Sequence, residues 1–392
     1  MHSLDFFWLM LIASLVAMLG RFVKIPYTIA LVITGLFIGQ LGLLPGVSLD
    51  PHVLFALFLP PLLFEAGIHI QFRLLRSLGI TIGLLAFAGT LLSTALIGYG
   101  VHFLLGIPLL PALLFGAMIS PTDPISVLAM FKKLGINKRL SLLVEAESLF
   151  NDGVAVVLFG VIQSIIVTQS FSLSESIASF LVTVLGGAGI GAAIGAVASR
   201  VTLAYDDHLL EITLTTMVAY GAYLAAESIH VSGVIAVVAA SLVVGNYGMT
   251  KGMTPNSQVA VKSFWEYAAF VANSMVFLLV GLEIAAIPLL VSSQFIMIAI
   301  IVVLIARAIS VYSLSAAAAA IGQHIPASWR HVLVWSGLRG ALSMAMVLGI
   351  DPVVQEKTVL IPLIYGVVFF SLLGQGMTIE KFVAKLGLSG EK

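Results

Sequence analysis

The sequence predicts an all-α, polytopic membrane protein, on three observations. The 392 residues are 60% hydrophobic and only 9% charged, whereas soluble domains run about half apolar and about a quarter charged. The apolar residues lie in long runs between short polar or Pro/Gly breaks, and about 20 such residues cross a bilayer as a helix. The runs do not alternate and far exceed the about 10 residues of a transmembrane β-strand, which excludes a β-barrel. Eighteen Lys and Arg balance eighteen Asp and Glu, so there is no basic stripe for nucleic acid. With no Cys, disulfide scaffolds, Cys-ligated zinc, iron–sulfur clusters and thiol catalysis fall away.

Thirteen segments follow along the chain, near 6–20, 28–44, 52–70, 78–105, 109–131, 140–168, 176–200, 208–226, 231–248, 262–283, 294–321, 329–350 and 358–376. Residues 1–8 carry Asp5 and no Lys or Arg. A cleaved signal peptide starts basic, so the first segment is expected to stay as a span. The first two segments are short and the fourth is long, so their tilts must differ. No linker or soluble domain interrupts them, and residues 1–392 read as a single transmembrane domain. The polar stretch 245–262 is expected to be a loop, and some 16 residues follow the last span.

Lys and Arg orient the spans. With alternating loops, one side collects Arg21, Lys24, Arg73, Arg76, Lys132, Lys133, Lys138, Arg139, Arg200, Lys251, Lys262, Arg330, Lys381, Lys385 and Lys392, and the other only Lys357. That accounts for sixteen of the eighteen; Arg307 and Arg339 fall inside apolar segments. A span missed or invented in mid-chain would scramble this split. The N-terminus is therefore expected outside and the C-terminus in the cytoplasm.

Two segments are interrupted. The fifth contains Ser120-Pro121-Thr122-Asp123-Pro124 and the twelfth Ser336-Gly337-Leu338-Arg339-Gly340. They stand seven spans apart, an odd number, so two six-span halves would have opposite topology. Matching broken helices point to an inverted-repeat transporter.

Charged groups at bilayer depth are costly and usually functional. Glu65, Asp123, Glu145, Glu147, Asp152, Arg307 and Arg339 lie there. The acidic excess suits cation binding or proton carriage. Pro121 and Pro124 remove backbone donors and break the fifth helix, and Pro124 can open a second half-helix. Carbonyls at Met118–Ser120 are then free to ligate a cation. Asp123 either ligates the cation itself or caps the half-helix.

In segment six, Ser148 precedes Asp152 by four residues and Glu147 precedes Asn151 by four, so each pair shares a helix face. Asp152 and Ser148 offer the oxygen ligands that hard cations take. Glu147 points about 140° away from Asp152 at 100° per residue, and Arg307 is its best partner. Arg339 is expected to serve the break in its own span, balancing helix-end carbonyls. Glu65 follows a Pro60-Pro61 kink and either reaches the site or lines its entry, Glu145 reads as a funnel residue, and His69, His230, Trp8, Trp329 and Trp335 suit interfacial positions.

Five stretches in chain order, 58–67 (FLPPLLFEAG), 120–128 (SPTDPISVL), 145–153 (EAESLFNDG), 230–236 (HVSGVIA) and 337–343 (GLRGALS), resemble the sodium/proton exchanger, or NhaP-like, branch of the monovalent cation/proton antiporters. The resemblance spans segments three to twelve. It implies thirteen helices in two inverted six-helix repeats, with discontinuous helices five and twelve crossing near the midplane and a core domain moving against a dimerisation domain. It implies that Asp152 binds ion and proton, that Ser148 and the Thr122 carbonyl lie near a Na+ that Asp123 also approaches, and that Asp123 and Glu65 sit at or beside the site. Asn151 would organise the site and Glu147 would pair with Arg307. Na+, Li+ and H+ are the implied substrates and a homodimer the implied assembly, in a prokaryotic inner (cell) membrane; the long regulatory tail of animal exchangers is missing from the match.

The resulting reading is a secondary antiporter without cofactor or catalytic residues, in which Na+ (or Li+) and H+ compete for Asp152. Electrogenic relatives carry two adjacent aspartates and a nearby lysine; here those positions read Asn151 and Arg307. Asn does not titrate and Arg stays charged, so one-for-one, electroneutral exchange is expected. The rivals are a K+/H+ antiporter and a gated cation channel. An intramembrane enzyme finds no motif beyond a possible Asp123/Asp152 pair.

Overall fold

The computed structural model describes residues 3–19, 25–44, 50–204, 206–289 and 292–390. Arg21, Lys24 and Lys392, used above for orientation, lie outside the described residues. The helices are α1 (Ser3–Leu19), α2 (Tyr27–Gln40), α3 (Pro51–His69), α4 (Phe72–Leu105), α5 (Leu109–Ile119), α6 (Ile125–Leu134), α7 (Lys138–Thr168), α8 (Leu173–Val201), α9 (His208–Ser228), α10 (Gly233–Gly252), α11 (Pro255–Ala286), α12 (Ser293–Ala320), α13 (Ala327–Trp335), α14 (Ala341–Leu348) and α15 (Lys357–Lys385). No strand occurs among the described residues. Nine of these helices are long and apolar enough to cross a membrane, and three shorter ones are apolar.

The chain breaks where the sequence locates the breaks. In the fifth segment α5 ends at Ile119 and α6 begins at Ile125; in the twelfth α13 ends at Trp335 and α14 begins at Ala341. Elsewhere the helices absorb their irregularities as π-turns. One precedes Pro60 and Pro61: Leu59 N–H bonds back to Leu54 O, five residues away. The prolines, which cannot donate, then enter a continuing helix at its first positions.

The polar stretch 245–262 is not the expected loop. A π-turn, Val244–Gly252, extends α10, and Pro255 opens α11 directly. The physical reason is a long-range tie together with a local cap. The Asn246 amide donates to Ile70 O (2.8 Å) and Leu242 O (2.9 Å), while its oxygen accepts from Phe72 N–H at 2.7 Å. Thr254 accepts from Ser257 N–H as an N-cap, and Pro suits the first turn. Likewise the last helix does not end near 376. A π-turn at Ser371–Gln375 carries α15 on to Lys385.

Packing divides the helices into two groups. In the first, α11 packs on α2, α3, α9 and α1, and α10 packs on α8, α3 and α9. In the second, α4 packs on α5, α7 and α12, α5 on α7 and α14, and α15 on α12 and α14. Small residues allow the close approaches, as expected where lipid gives helices no hydrophobic reason to associate. Added Cβ atoms at Gly187, Gly191 and Gly195 of α8 would fall 2.5, 2.0 and 2.8 Å from the carbonyl oxygens of Ser232, Ala236 and Ala240. Gly35 of α2 and Gly281 of α11 touch backbone in the same way, at 2.1 and 2.2 Å.

Candidate cation and proton site

A cavity of about 290 Å³ lies between the two groups. The first group lines it with α2, α3 and α11; the second lines it with the fifth-segment break, α6, α7 and the start of α14. Asp152, Asp123, Thr122, Glu65 and Glu145 are all in its wall.

The 31-residue α7 carries the central carboxylate. Asn137 caps it, accepting from Arg139 N–H at 2.9 Å. At 1.5 Å per residue Asp152 stands about 21 Å up the helix, near its middle. Asp152 is half-buried, and its carboxylate takes part in no hydrogen bond or ion pair with the described residues. The charges beside it are like-signed, Asp123 and Glu147.

Glu147, five residues earlier, is fully engaged. Arg307 Nη1 donates to its Oε1 at 2.6 Å and Nη2 to its Oε2 at 2.9 Å, both side chains being buried. Arg307 Nη2 also donates to Leu333 O at 3.0 Å, so the pair ties α7 and α12 to α13. Asn151 Nδ2 donates to Thr122 Oγ1 (2.9 Å) and to Glu147 Oε1 (3.4 Å), and Asn151 Oδ1 accepts from Thr122 N–H at 3.3 Å. The Thr122 and Ser148 hydroxyls bond at 2.7 Å. Ser148 and Asn151 stand behind the cavity wall; Thr122 joins them to it.

The two breaks hold each other. Asp123 N–H donates to Leu338 O at 2.8 Å, from one break to the other. Asp123 Oδ1 accepts from Ile125 N–H at 2.9 Å, covering the start of α6. Its other oxygen lies against Gly340, where a Cβ would fall 2.2 Å away. Arg339 does not serve its own span. Its Nη1 donates to Ser120 O (2.6 Å) and Pro121 O (2.9 Å) in the opposite break. A buried guanidinium needs acceptors, and carbonyls beside Pro121 and Pro124, whose helical donors the prolines remove, supply them. Of the carbonyls expected to be open to a cation, Ser120 O is thus taken. The second break leans on the α15 π-turn: Arg339 N–H donates to Ser371 Oγ at 3.0 Å, and Gln375 Nε2 to Trp335 O at 3.2 Å.

Glu65, Glu145 and Glu266 gather at the wall. Glu65 is flanked by Glu266 and Lys132, and Glu145 by Glu65. His69 Nδ1 bonds to Glu65 O at 2.8 Å and lies 3.4 Å from its Oε1. Sequence reasoning passed over Glu266 and Asn273. Their signal was available: Glu266, Ala269, Phe270 and Asn273 all line the cavity, the i, i+3, i+4, i+7 face of one helix. Glu211 and Glu283 are further carboxylates inside helices that sequence reasoning left out. No group of three or more His, Cys, Asp or Glu among the described residues is arranged as a metal cage.

Residues 10–385 match the family model for the transmembrane sodium/hydrogen exchanger domain. The chain is 42% identical to the Na(+)/H(+) antiporter ApNhaP of Aphanothece halophytica over 97% of its own length and 73% of that protein. It is 37% identical to the Na(+)/H(+) antiporter NhaH of Halobacillus aidingensis, over 97% of each. Its fold is like that of the sodium proton antiporter MjNhaP1 of Methanocaldococcus jannaschii, with a TM-score of 0.80 at 20% identity, covering 100% of this chain and 99% of that one. A family match over residues 10–385, joined to two broken helices that meet beside a carboxylate-lined cavity, makes this multi-pass membrane chain a member of the sodium/hydrogen exchanger family.

Proposed function

We propose that this protein exchanges Na+ for H+ across a membrane by alternating access, with both ions competing for Asp152. The observation that carries this reading is the state of Asp152: a mid-helix carboxylate with no hydrogen-bond or ion-pair partner among the described residues, in a cavity between two helix groups. A carboxylate so placed holds either a proton or a cation, because each neutralises the same charge. The relatives named as Na(+)/H(+) antiporters support the ion pair chosen.

In this reading Asp123 and Thr122 share the cavity wall with Asp152 and contribute oxygens to the ion, with Li+ accepted as well. Ser148 and Asn151 act by holding Thr122. Glu147 and Arg307 form the structural pair, and Arg339 neutralises helix-end carbonyls. Glu65, Glu145 and Glu266 concentrate cations at the mouth. The chain works as one transmembrane domain of thirteen crossings in two inverted repeats, with its N-terminus outside, in a prokaryotic cell membrane and as a homodimer.

Exchange is one-for-one. Asn151 carries no proton, and Arg307, held by two carboxylate hydrogen bonds, cannot release one. Proteoliposomes containing a pH dye test both points. Na+ addition should move protons with wild-type protein and not with Asp152→Asn, recovered in the same folded amount; robust Na+-driven proton flux from Asp152→Asn overturns the site. A potassium diffusion potential should leave the balance of Na+ and H+ gradients unchanged, and a voltage-dependent shift overturns electroneutrality. Flux with K+ in place of Na+ should be weak, and ion flux without proton movement would mark a channel.

A further inference from the structure

On the same side of the cavity as Asp152, the Thr122 hydroxyl is bonded to Ser148 and Asn151, and one Asp123 oxygen accepts from Ile125 N–H. On the other side stands Asn273 of α11, a cavity-wall residue only 8% exposed. Its Oδ1 is buried with no hydrogen-bond partner. Buried amide oxygens in folded proteins are nearly always paired. An unpaired one on a residue lining this water-accessible cavity is an acceptor waiting for a donor or a cation.

The repeat of pattern on the two walls gives this acceptor a place. On α7, Glu145, Leu149 and Asp152 line the cavity; on α11, Glu266, Phe270 and Asn273 line it. Each wall has a glutamate, then an apolar residue one turn on, then an oxygen-bearing residue seven positions from the glutamate. Asp152 belongs to one packing group and Asn273 to the other.

We infer that Asn273 is a specificity-determining residue, its side-chain amide oxygen joining the cation from the helix group opposite Asp152. This rests on the Na+/H+ exchange reading above. The amide is neutral, so it selects by number of ligands and not by charge. A half-turn of the amide exchanges its oxygen and nitrogen, which are nearly the same size, so the oxygen can be turned to meet an ion. A proton on Asp152 has no use for a further oxygen ligand, whereas Na+ stripped of water does. Asn273 therefore favours the cation over the proton and Na+ over the smaller Li+, which is satisfied by fewer ligands.

The test is ion-driven proton flux in proteoliposomes for wild type, Asn273→Ala and Asn273→Asp, each with Na+ and with Li+. Loss of the oxygen should raise the apparent KM for Na+ by about fivefold or more with the maximal rate kept, as for removal of binding that ground and transition states share. The KM for Li+ should rise less. Asn273→Asp, which keeps an oxygen but loses the NH2, should restore or tighten Na+ affinity. An unchanged Na+ KM and unchanged Na+/Li+ ratio in Asn273→Ala overturns the assignment. So does an equal loss of maximal rate in both variants at unchanged KM, the signature of an amide that only holds helices together. Wild-type protein that fails to couple Na+ to H+ would instead overturn the exchanger reading itself.

Discussion

Glu147 and Asp152 are carboxylates five residues apart on one helix, and their fates differ completely. Glu147 takes two hydrogen bonds from Arg307 and one from Asn151. Asp152 takes none from any described residue and faces the cavity with Asp123 and Glu147 as its charged neighbours. A helix turns 100° per residue, so five residues separate the two by about 140°. One points into protein, where a charge must be paired to be tolerated. The other points to where an ion can arrive. A membrane carboxylate is thus read by whether its partner is built in, and on the proposed function the missing partner of Asp152 is its substrate.

The sharpest way to break the comparison is to neutralise each member. Asp152→Asn should abolish exchange and leave the thermal unfolding temperature in detergent near or above wild type, because it removes an unpaired, half-buried charge. Glu147→Gln should do the reverse first: it strands Arg307 and costs about 3–5 kcal/mol, seen as a lowered unfolding temperature and little folded protein. Replacing both partners, Glu147→Leu with Arg307→Met, should regain much of that stability, and exchange with it. Exchange that stays absent in a well-folded double variant would mean that the pair does more than hold helices.

Smaller effects sharpen it. Gly340→Ala places a methyl 2.2 Å from an Asp123 oxygen and 2.6 Å from its Cβ. Asp123 must move, and a displacement near 1 Å at a reacting centre costs on the order of 10²-fold in rate; the transport rate should fall steeply while unfolding changes little. Thr122→Val leaves Ser148 and Asn151 each short of one hydrogen bond. At about 1 kcal/mol for such a bond, the apparent Na+ affinity should weaken by roughly fivefold. An unaffected KM would separate the Thr122 hydroxyl from the ion site.

The parts of the fold visible in the sequence are those written in composition and in helix breakers. Pro121, Pro124 and the Gly337–Gly340 break mark discontinuities that need no knowledge of neighbours. The 140° offset of Glu147 from Asp152 is likewise local geometry. What the sequence did not yield depends on contacts between distant segments. Arg339 reaches the carbonyls of Ser120 and Pro121, over two hundred residues away, and no spacing rule connects them. Ser371 and Gln375 support the second break only because a π-turn turns them towards it. Asn273 is uncharged, so a search for charges in apolar helices passes it. The stretch 245–262 looks like a loop by polarity, but Asn246 satisfies backbone groups of the α3–α4 connection and keeps it helical.

Competition at Asp152 is most directly measured as protons released when Na+ binds to purified protein in weakly buffered detergent solution. Linkage requires that a cation displacing a bound proton release it in proportion to the fraction protonated. The account predicts release approaching about one proton per Na+ bound at a pH where Asp152 is protonated, falling to nothing as pH rises, and absent in Asp152→Asn. Na+ binding to wild-type protein with no proton released at any pH, or equal release from Asp152→Asn, would contradict it.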